Sequence, residues 1–103
     1  MTIQDVRADF PFAITGRVET PCYLISEEVI ERNCKMLDSV QQRTGTKILL
    51  ALKAFALPAL FPFIAKTLHG VCASGPIEAQ LGRKEFGREV HTFAPLSYPC
   101  ERD

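Results

Sequence analysis

The sequence predicts an α/β protein, and more specifically the first half of a (β/α)8 TIM-type barrel with about four strands and three helices. Ile48–Leu52 is a run of five apolar residues between two lysines, which is typical of a strand buried on both faces of a parallel sheet. Short apolar segments alternate with segments of helical period, so the order is β-α-β-α-β-α-β. Eight such βα units would need roughly 200 residues. The 103 residues of the chain therefore provide an incomplete barrel.

The composition is that of a globular protein and excludes several functional classes. Twelve basic and twelve acidic residues cancel, so charge provides no reason to expect binding to nucleic acid or to an anionic membrane. No apolar run approaches the ~20 residues of a membrane span, and the N-terminus lacks the pattern of a secretory signal. The four cysteines form no C-x-x-C pair, so we expect no zinc site. Reduced thiols of this kind indicate a cytoplasmic protein.

The first part of the chain predicts a leader, a strand and a long helix. We assign residues 1–20 to a leader segment and residues 21–103 to the barrel domain. The first strand is predicted over residues 21–25. Ser26 is the expected N-cap of a helix that runs to about residue 42, and Gly45 suits the left-handed position after its end. The apolar stripe of this helix consists of Ile30, Cys34, Leu37 and Val40.

The remaining elements follow from the same periodicity. The second strand is predicted over residues 47–53 and the second helix over residues 58–69. The inward side of that helix should carry Leu60, Phe61, Ile64 and Leu68. A short strand at 71–73 precedes a third helix at 76–86, and a fourth strand covers 89–93. The inward residues of the third helix should be Ile77, Leu81 and Phe86.

Lys53 is the main candidate for chemistry. It lies where the second strand should end, and active sites of parallel barrels are built at the carboxyl ends of strands. Side chains alternate along a strand, so Lys53 should share a face with Leu49 and Ala51. Partial desolvation there would lower its pKa and make its amine a better nucleophile towards an aldehyde. The alternative is a solvated lysine that caps the strand, and spacing alone leaves both open.

Other polar residues have simpler structural explanations. His91 should be a hydrogen-bonded histidine of the core, and His69 should interact with a helix C-terminus. Cys72 should act as a small buried hydrophobe near a strand end. Ser74 should be an N-cap rather than a nucleophile, because no histidine is placed in sequence to activate it.

Several blocks along residues 20–95 resemble one known family. The blocks are Thr20–Ile25, Lys47–Ala56, Phe61–Pro62, Ala73–Gly87 and Glu89–Thr92. In this order they are similar to carboxynorspermidine/carboxyspermidine decarboxylases, which are part of the fold-type-III, alanine-racemase-like family of pyridoxal-phosphate enzymes. The resemblance thus covers the N-terminal part of such an enzyme.

The resemblance implies specific roles for three residues. Lys53 matches the catalytic lysine that binds pyridoxal 5′-phosphate through its amine, for decarboxylation of carboxynorspermidine or carboxyspermidine to norspermidine or spermidine in polyamine biosynthesis. Glu78 matches a glutamate that helps to organise the cofactor side of the barrel. Ornithine and diaminopimelate decarboxylases carry an aspartate six residues before this glutamate. Cys72 holds that position here, so it is a cofactor-binding candidate by position, but a charge-based role is not expected.

The resemblance also implies features outside this chain. The full-length relatives are homodimers with a small-molecule polyamine substrate, and their phosphate-binding loops and second, β-rich domain would lie beyond Asp103. We therefore expect the chain to be part of a larger enzyme and to be inactive alone. The open alternatives are a related amino-acid decarboxylase or racemase, a non-catalytic pyridoxal-phosphate carrier and an inactive remnant.

Overall fold

The structure is a computed structural model that describes residues 16–94. Most of the leader segment at residues 1–20 lies outside the described residues, as does the tail after residue 94. Within the described part, three parallel strands form one sheet in the order β1-β2-β3. The elements in chain order are α1 (Glu27–Thr44), β1 (Leu49–Ala51), a 3₁₀ turn (Pro58–Leu60), α2 (Phe61–Ile64), β2 (Gly70–Ala73), α3 (Pro76–Leu81), a π-helical turn (Gly82–Phe86) and β3 (Glu89–Thr92). The α/β class and the parallel sheet are confirmed, while closure into a barrel stays a prediction.

The strand predicted at residues 21–25 is wrong. No β-strand forms there, and β1 is the first strand of the described sheet. Tyr23 is 99% exposed and Ile25 is 41% exposed, so these apolar side chains gain little from burial. A β-strand needs a hydrogen-bonded neighbour as well as an apolar sequence. This segment has no such neighbour among residues 16–94.

The long helix α1 begins and ends close to the predicted residues. The Ser26 side chain accepts a hydrogen bond from the backbone N–H of Val29 at 3.4 Å, which confirms the predicted N-cap. Gly45 has φ 71°, and its N–H donates to the carbonyl of Gln41 at 2.8 Å. A glycine is favoured here because residues with a Cβ rarely adopt this left-handed conformation.

Gln41 connects α1 to the start of the sheet, although the predicted stripe did not include it. Its side chain is buried and donates to the carbonyl of Thr67 at 3.0 Å. The same side chain accepts from the backbone N–H of Ile48 at 2.9 Å. Leu37, which the stripe did include, is 37% exposed. Gln41 can be buried on the inward side of α1, where an apolar residue would be expected, because its amide nitrogen and its amide oxygen are both hydrogen-bonded.

The second helix is shorter than predicted, but its inward residues are correct. Only Pro58–Leu60 and Phe61–Ile64 are helical, and residues 65–67 form a turn. Phe61, Ile64 and Leu68 are all buried in the same core cluster. The rings of Phe61 and Phe86 also pack edge to face, with 5.5 Å between ring centroids.

Two of the three inward residues predicted for the third helix are confirmed, since Phe86 is buried and Leu81 packs against the core cluster. Ile77, also expected to face inward, is instead 83% exposed, and Gly82 is buried although it was not among the predicted residues. A Cβ at Gly82 would clash with Cγ2 of Val71, so the helix approaches β2 most closely at this glycine. A prediction from helical period considers only which positions carry apolar side chains. It therefore cannot detect a close approach of the helix to a strand at a glycine. None of the helices in the described part is long and apolar enough to cross a membrane.

Candidate active site

The two faces of the sheet have different surroundings. The registered row Leu50–Val71–Val90 packs with the helices in the core cluster. Side chains alternate along each strand, so the row Ala51–Cys72–His91 lies on the opposite face. Cys72 is half-buried and His91 is exposed, so this second face is open within the described part. It carries Cys72, while Lys53 and Glu78 lie just beyond the carboxyl ends of β1 and β2.

Lys53 lies in the turn that directly follows β1. The turn is closed by the backbone N–H groups of Ala54 and Phe55, which donate to the carbonyl of Ala51 at 3.0 and 3.2 Å. Leu52 anchors it in the core at 3% exposure. Lys53 itself is exposed and has no hydrogen-bond or ion-pair partner among residues 16–94. The predicted position at the carboxyl edge is thus observed, whereas the expected partial desolvation is not, because no element covers this turn.

Glu78 lies at the same edge, at the end of β2. Its Oε2 accepts a hydrogen bond from the backbone N–H of Ser74 at 2.7 Å. Ser74 is not the N-cap that the sequence predicted, because Gly75 is at that position and no side chain caps the helix. Instead, the carboxylate of Glu78, in the first turn of α3, accepts the hydrogen bond from the backbone N–H of Ser74, which precedes the helix. Lys53 and Glu78 therefore follow neighbouring strands at one edge of the sheet.

Cys72 lies one residue before the last position of β2. It is registered between Ala51 and His91 and carries a free thiol. The half-buried position agrees only in part with the small buried hydrophobe expected from the sequence. Cys72 is thus on the open face, on the strand between β1, which precedes the Lys53 turn, and β3, which carries His91.

A charged cluster on the open face was not predicted. The Lys47 Nζ lies 2.9 Å from Glu89 Oε1, and the His91 Nε2 lies 3.1 Å from Glu89 Oε2. The hydrogen bonds from Lys47 and then His91, together with the charge of Lys47, lower the pKa of Glu89 to about 2. His91 was expected in the core, but 57% of its side chain is exposed because it points to the uncovered face.

The sequence contained a signal for this cluster. Glu89 and His91 are two residues apart in a predicted strand, so their side chains must share a face. The pairing of Lys47 with Glu89 required the strand order, since Gly70 of β2 lies between them. Gly70 has no side chain to obstruct the contact. A Cβ there would clash with the backbone of Glu89.

The carboxyl edge of the sheet provides an amine that could hold a pyridoxal cofactor. Lys53 offers an exposed primary amine without a competing partner in the described part, and such an amine condenses with an aldehyde. Glu78 is a carboxylate at the next strand end. Within residues 16–94, no group of three or more His, Cys, Asp or Glu side chains could hold a metal ion. The described part of this edge offers an amine, from Lys53, and a carboxylate, from Glu78.

Comparison with known proteins finds relatives that are named as decarboxylases. The chain is 40% identical over 80 residues to the carboxyaminopropylagmatine decarboxylase of Synechocystis sp.. It is 35% identical over 79 residues to the carboxynorspermidine/carboxyspermidine decarboxylase of Campylobacter jejuni, and 38% identical over 77 residues to that of Herminiimonas arsenicoxydans. These matches cover 75 to 78% of this chain and 21% of each relative. No protein-family model matches.

A solved structure agrees with these relatives. The crystal structure of carboxynorspermidine decarboxylase from Campylobacter jejuni in complex with norspermidine matches with a TM-score of 0.77 and 34% identity. The match covers 80% of this chain and 22% of that one. The chain thus spans about a fifth of the length of its relatives. In both sequence and fold, the chain is similar to part of the carboxynorspermidine/carboxyspermidine decarboxylases.

Proposed function

We propose that the chain is part of a pyridoxal-phosphate-dependent enzyme that decarboxylates carboxynorspermidine or carboxyspermidine to norspermidine or spermidine. The observation that carries this proposal is the free amine of Lys53 at the carboxyl edge of a parallel sheet. It is supported by relatives that are named as decarboxylases and by the fold shared with an enzyme solved with norspermidine.

In this proposal Lys53 holds the cofactor through its side-chain amine. Its turn is anchored by Leu52 in the core and by two hydrogen bonds to the carbonyl of Ala51, so the backbone beneath the amine is fixed. Pyridoxal phosphate, when bound, supplies an electron sink for the bond that breaks as carbon dioxide leaves. Glu78 contributes a carboxylate beside this position, and Cys72 contributes only an uncharged contact.

We propose that these residues act only within a longer chain. The curated relatives are about five times as long as the matched segment. No element covers the turn that carries Lys53, so its amine is in solvent, whereas chemistry at a reactive amine gains from exclusion of water. We expect the complete enzyme to be a cytoplasmic homodimer and the 103-residue chain to be inactive alone.

Lys53 can be tested in a chimera that joins this chain to the remaining four fifths of the Campylobacter jejuni homologue. Borohydride reduction in the presence of pyridoxal phosphate should attach the cofactor to Lys53, as read by peptide mass spectrometry. Lys53→Arg should remove both this label and carbon dioxide release from carboxynorspermidine. The matched control is Lys66→Arg, at an exposed lysine on the helix side of the sheet.

The proposal would be wrong if the Lys53→Arg chimera still released carbon dioxide while the Lys66→Arg chimera behaved like the unmodified one. Turnover by the isolated 103-residue chain would contradict the proposal that a longer chain is needed. Label on Lys53 without release of carbon dioxide from any substrate would favour a non-catalytic carrier.

Carboxyaminopropylagmatine is a second candidate substrate. The observation in its favour is the 40% identity to the Synechocystis enzyme, against 35% and 38% for the two other relatives. Product analysis of the same chimera with carboxynorspermidine, carboxyspermidine and carboxyaminopropylagmatine separates these substrates. Ornithine and diaminopimelate in the same assay test for an amino-acid decarboxylase.

A further inference from the structure

We propose that Cys72, His91 and Glu89 act as a nucleophile, a proton acceptor and an orienting group on the open face of the sheet, and that the Cys72 thiol exchanges with small disulfides. The proposal goes beyond the proposed function, because neither a cofactor nor a polyamine takes part in this reaction. It concerns side chains to which the proposed function gives no chemical step.

Cys72 and His91 lie side by side on neighbouring strands. Their Cα atoms are registered partners in the parallel pair of β2 and β3, and both side chains project from the open face. Neighbouring strands lie about 5 Å apart, so a rotation of the Cys72 side chain is enough to bring the thiol to the imidazole. The thiol is free and has no hydrogen-bond partner among residues 16–94 that would prevent this rotation.

Glu89 determines which nitrogen of His91 carries the proton. The hydrogen bonds from Lys47 and His91 lower the pKa of Glu89 to about 2, so its carboxylate is ionised at neutral pH. An ionised carboxylate can only accept hydrogen bonds. The Nε2 atom of His91, 3.1 Å from Oε2 of Glu89, must therefore be the donor. In the neutral ring this leaves the lone pair on Nδ1.

The Nδ1 atom of His91 is available to accept a proton. It has no hydrogen-bond partner among residues 16–94, and 57% of the His91 side chain is exposed. A thiol becomes a strong nucleophile when a neighbouring base removes its proton, and a carboxylate behind an imidazole stabilises the imidazolium that forms. These parts occupy adjacent positions of two strands here.

The exchange reaction needs no group beyond these and the disulfide itself. Nδ1 of His91 takes the proton of the thiol as Sγ of Cys72 attacks one sulfur of the disulfide. The bond between Sγ and that sulfur forms as the original S–S bond breaks. The electron pair of the broken bond leaves with the second sulfur as a thiolate, which then takes the proton from the imidazolium. One disulfide replaces another, so no external oxidant is consumed.

The backbone around Cys72 favours disulfide exchange over acyl transfer. Acyl transfer gains most of its rate from hydrogen-bond donors that stabilise an oxyanion, and backbone N–H groups usually provide them. β2 is hydrogen-bonded to a strand on each side, so the N–H groups of this strand are engaged in the sheet. Attack on a disulfide develops no oxyanion and therefore does not require such donors.

The test is the reaction of the 103-residue chain with oxidised glutathione at pH 7, with the rate at each cysteine measured by peptide mass spectrometry. We expect Cys72 to form the mixed disulfide. His91→Gln should slow this reaction about tenfold, which is less than the ~100-fold or more of a proton acceptor in a closed enzyme site. Cys22 is exposed and is the internal control, because its rate should not change. Cys34 is buried and should react only if a variant unfolds.

Two further measurements separate this mechanism from simple exposure of a thiol. The ¹⁵N resonances of the His91 ring should show the proton on Nε2 in the unmodified chain. Glu89→Gln should also slow the reaction of Cys72, because a neutral amide no longer stabilises the imidazolium. Glu85→Gln is the matched control, since it removes an exposed carboxylate elsewhere, and the rate should stay the same.

Three results would overturn the proposal. The first is a ring proton on Nδ1 of His91 in the unmodified chain. The second is a rate at Cys72 that His91→Gln does not change, and the third is an equal loss of rate at Cys22 in that variant. None of these results bears on the labelling of Lys53, so the proposed function is tested separately.

Discussion

At the scale of single residues, Glu89 shows how one carboxylate organises the open face of the sheet. It bridges a lysine before β1 and a histidine within β3, and these contacts lower its pKa to about 2. A carboxylate with a lowered pKa contributes stability above its unfolded pKa, near 4.5, and that contribution is lost as the pH falls towards 2. Acid should therefore weaken the link between the outer strands.

Substitution of Lys47 tests this link between the outer strands. In Lys47→Met the pKa of Glu89 should rise from about 2 towards 4.5, because the hydrogen bond and the charge of Lys47 are both lost. The rise should be incomplete, since the contact with His91 remains. The measurement is a carboxyl titration by nuclear magnetic resonance. Lys66→Met is the control and should leave the pKa of Glu89 unchanged. An equal value in wild type and Lys47→Met would show that the pair does not form in solution.

At the scale of elements, the seating of the third helix on β2 depends on Gly82. The helix meets the sheet at Gly82 and Phe86, and the exposed Ile77 takes no part in this contact. Val71 is fully buried beneath Gly82 and cannot easily move aside. The helix and the strand are therefore packed as closely as their backbones allow.

Gly82→Ala should destabilise the chain by about 1–3 kcal/mol, because the added methyl group overpacks this contact. The reason is the clash of the new Cβ with Cγ2 of Val71. The loss of stability should appear as a lower midpoint of urea unfolding, monitored by circular dichroism. Gly75→Ala is the matched control, since its Cβ would meet nothing within 4 Å. If both variants unfolded at the same urea concentration, the close approach at Gly82 would be disproved.

At the scale of the whole molecule, the three strands are not equivalent. β2 has a hydrogen-bonded neighbour on each side, whereas β1 and β3 each have one neighbour in the described part. Val71 and Ala73 of β2 are also fully buried. Central, buried strands open least often.

Hydrogen exchange should therefore be slowest in β2. We expect amides of Val71 and Ala73 to exchange more slowly than those of β3, as measured by nuclear magnetic resonance in deuterated buffer. Protection of β3 that matched β2 and increased with protein concentration would reveal pairing of its free edge with a second copy. That result would show that β3 has a second hydrogen-bonded neighbour in solution, beside β2.

The sequence determined those features that depend on local spacing. The cap at Ser26, the turn at Gly45 and the strand before Lys53 follow from residue type and period, and the structure confirms them. The position of Lys53 at the carboxyl edge follows from the same strand. These features need only a few neighbours along the chain, so a local pattern is sufficient to predict them.

Only the tertiary structure decided which apolar segments pair and which face is covered. Residues 21–25 have a strand-like sequence without a neighbouring strand, and Gln41 is buried because its amide satisfies groups from two distant segments. The contact between Lys47 and Glu89 joins residues 42 positions apart across Gly70. The exposure of Lys53 and His91 was also decided by the tertiary structure. Burial of a side chain depends on which elements pack against it, and the local sequence does not contain this information.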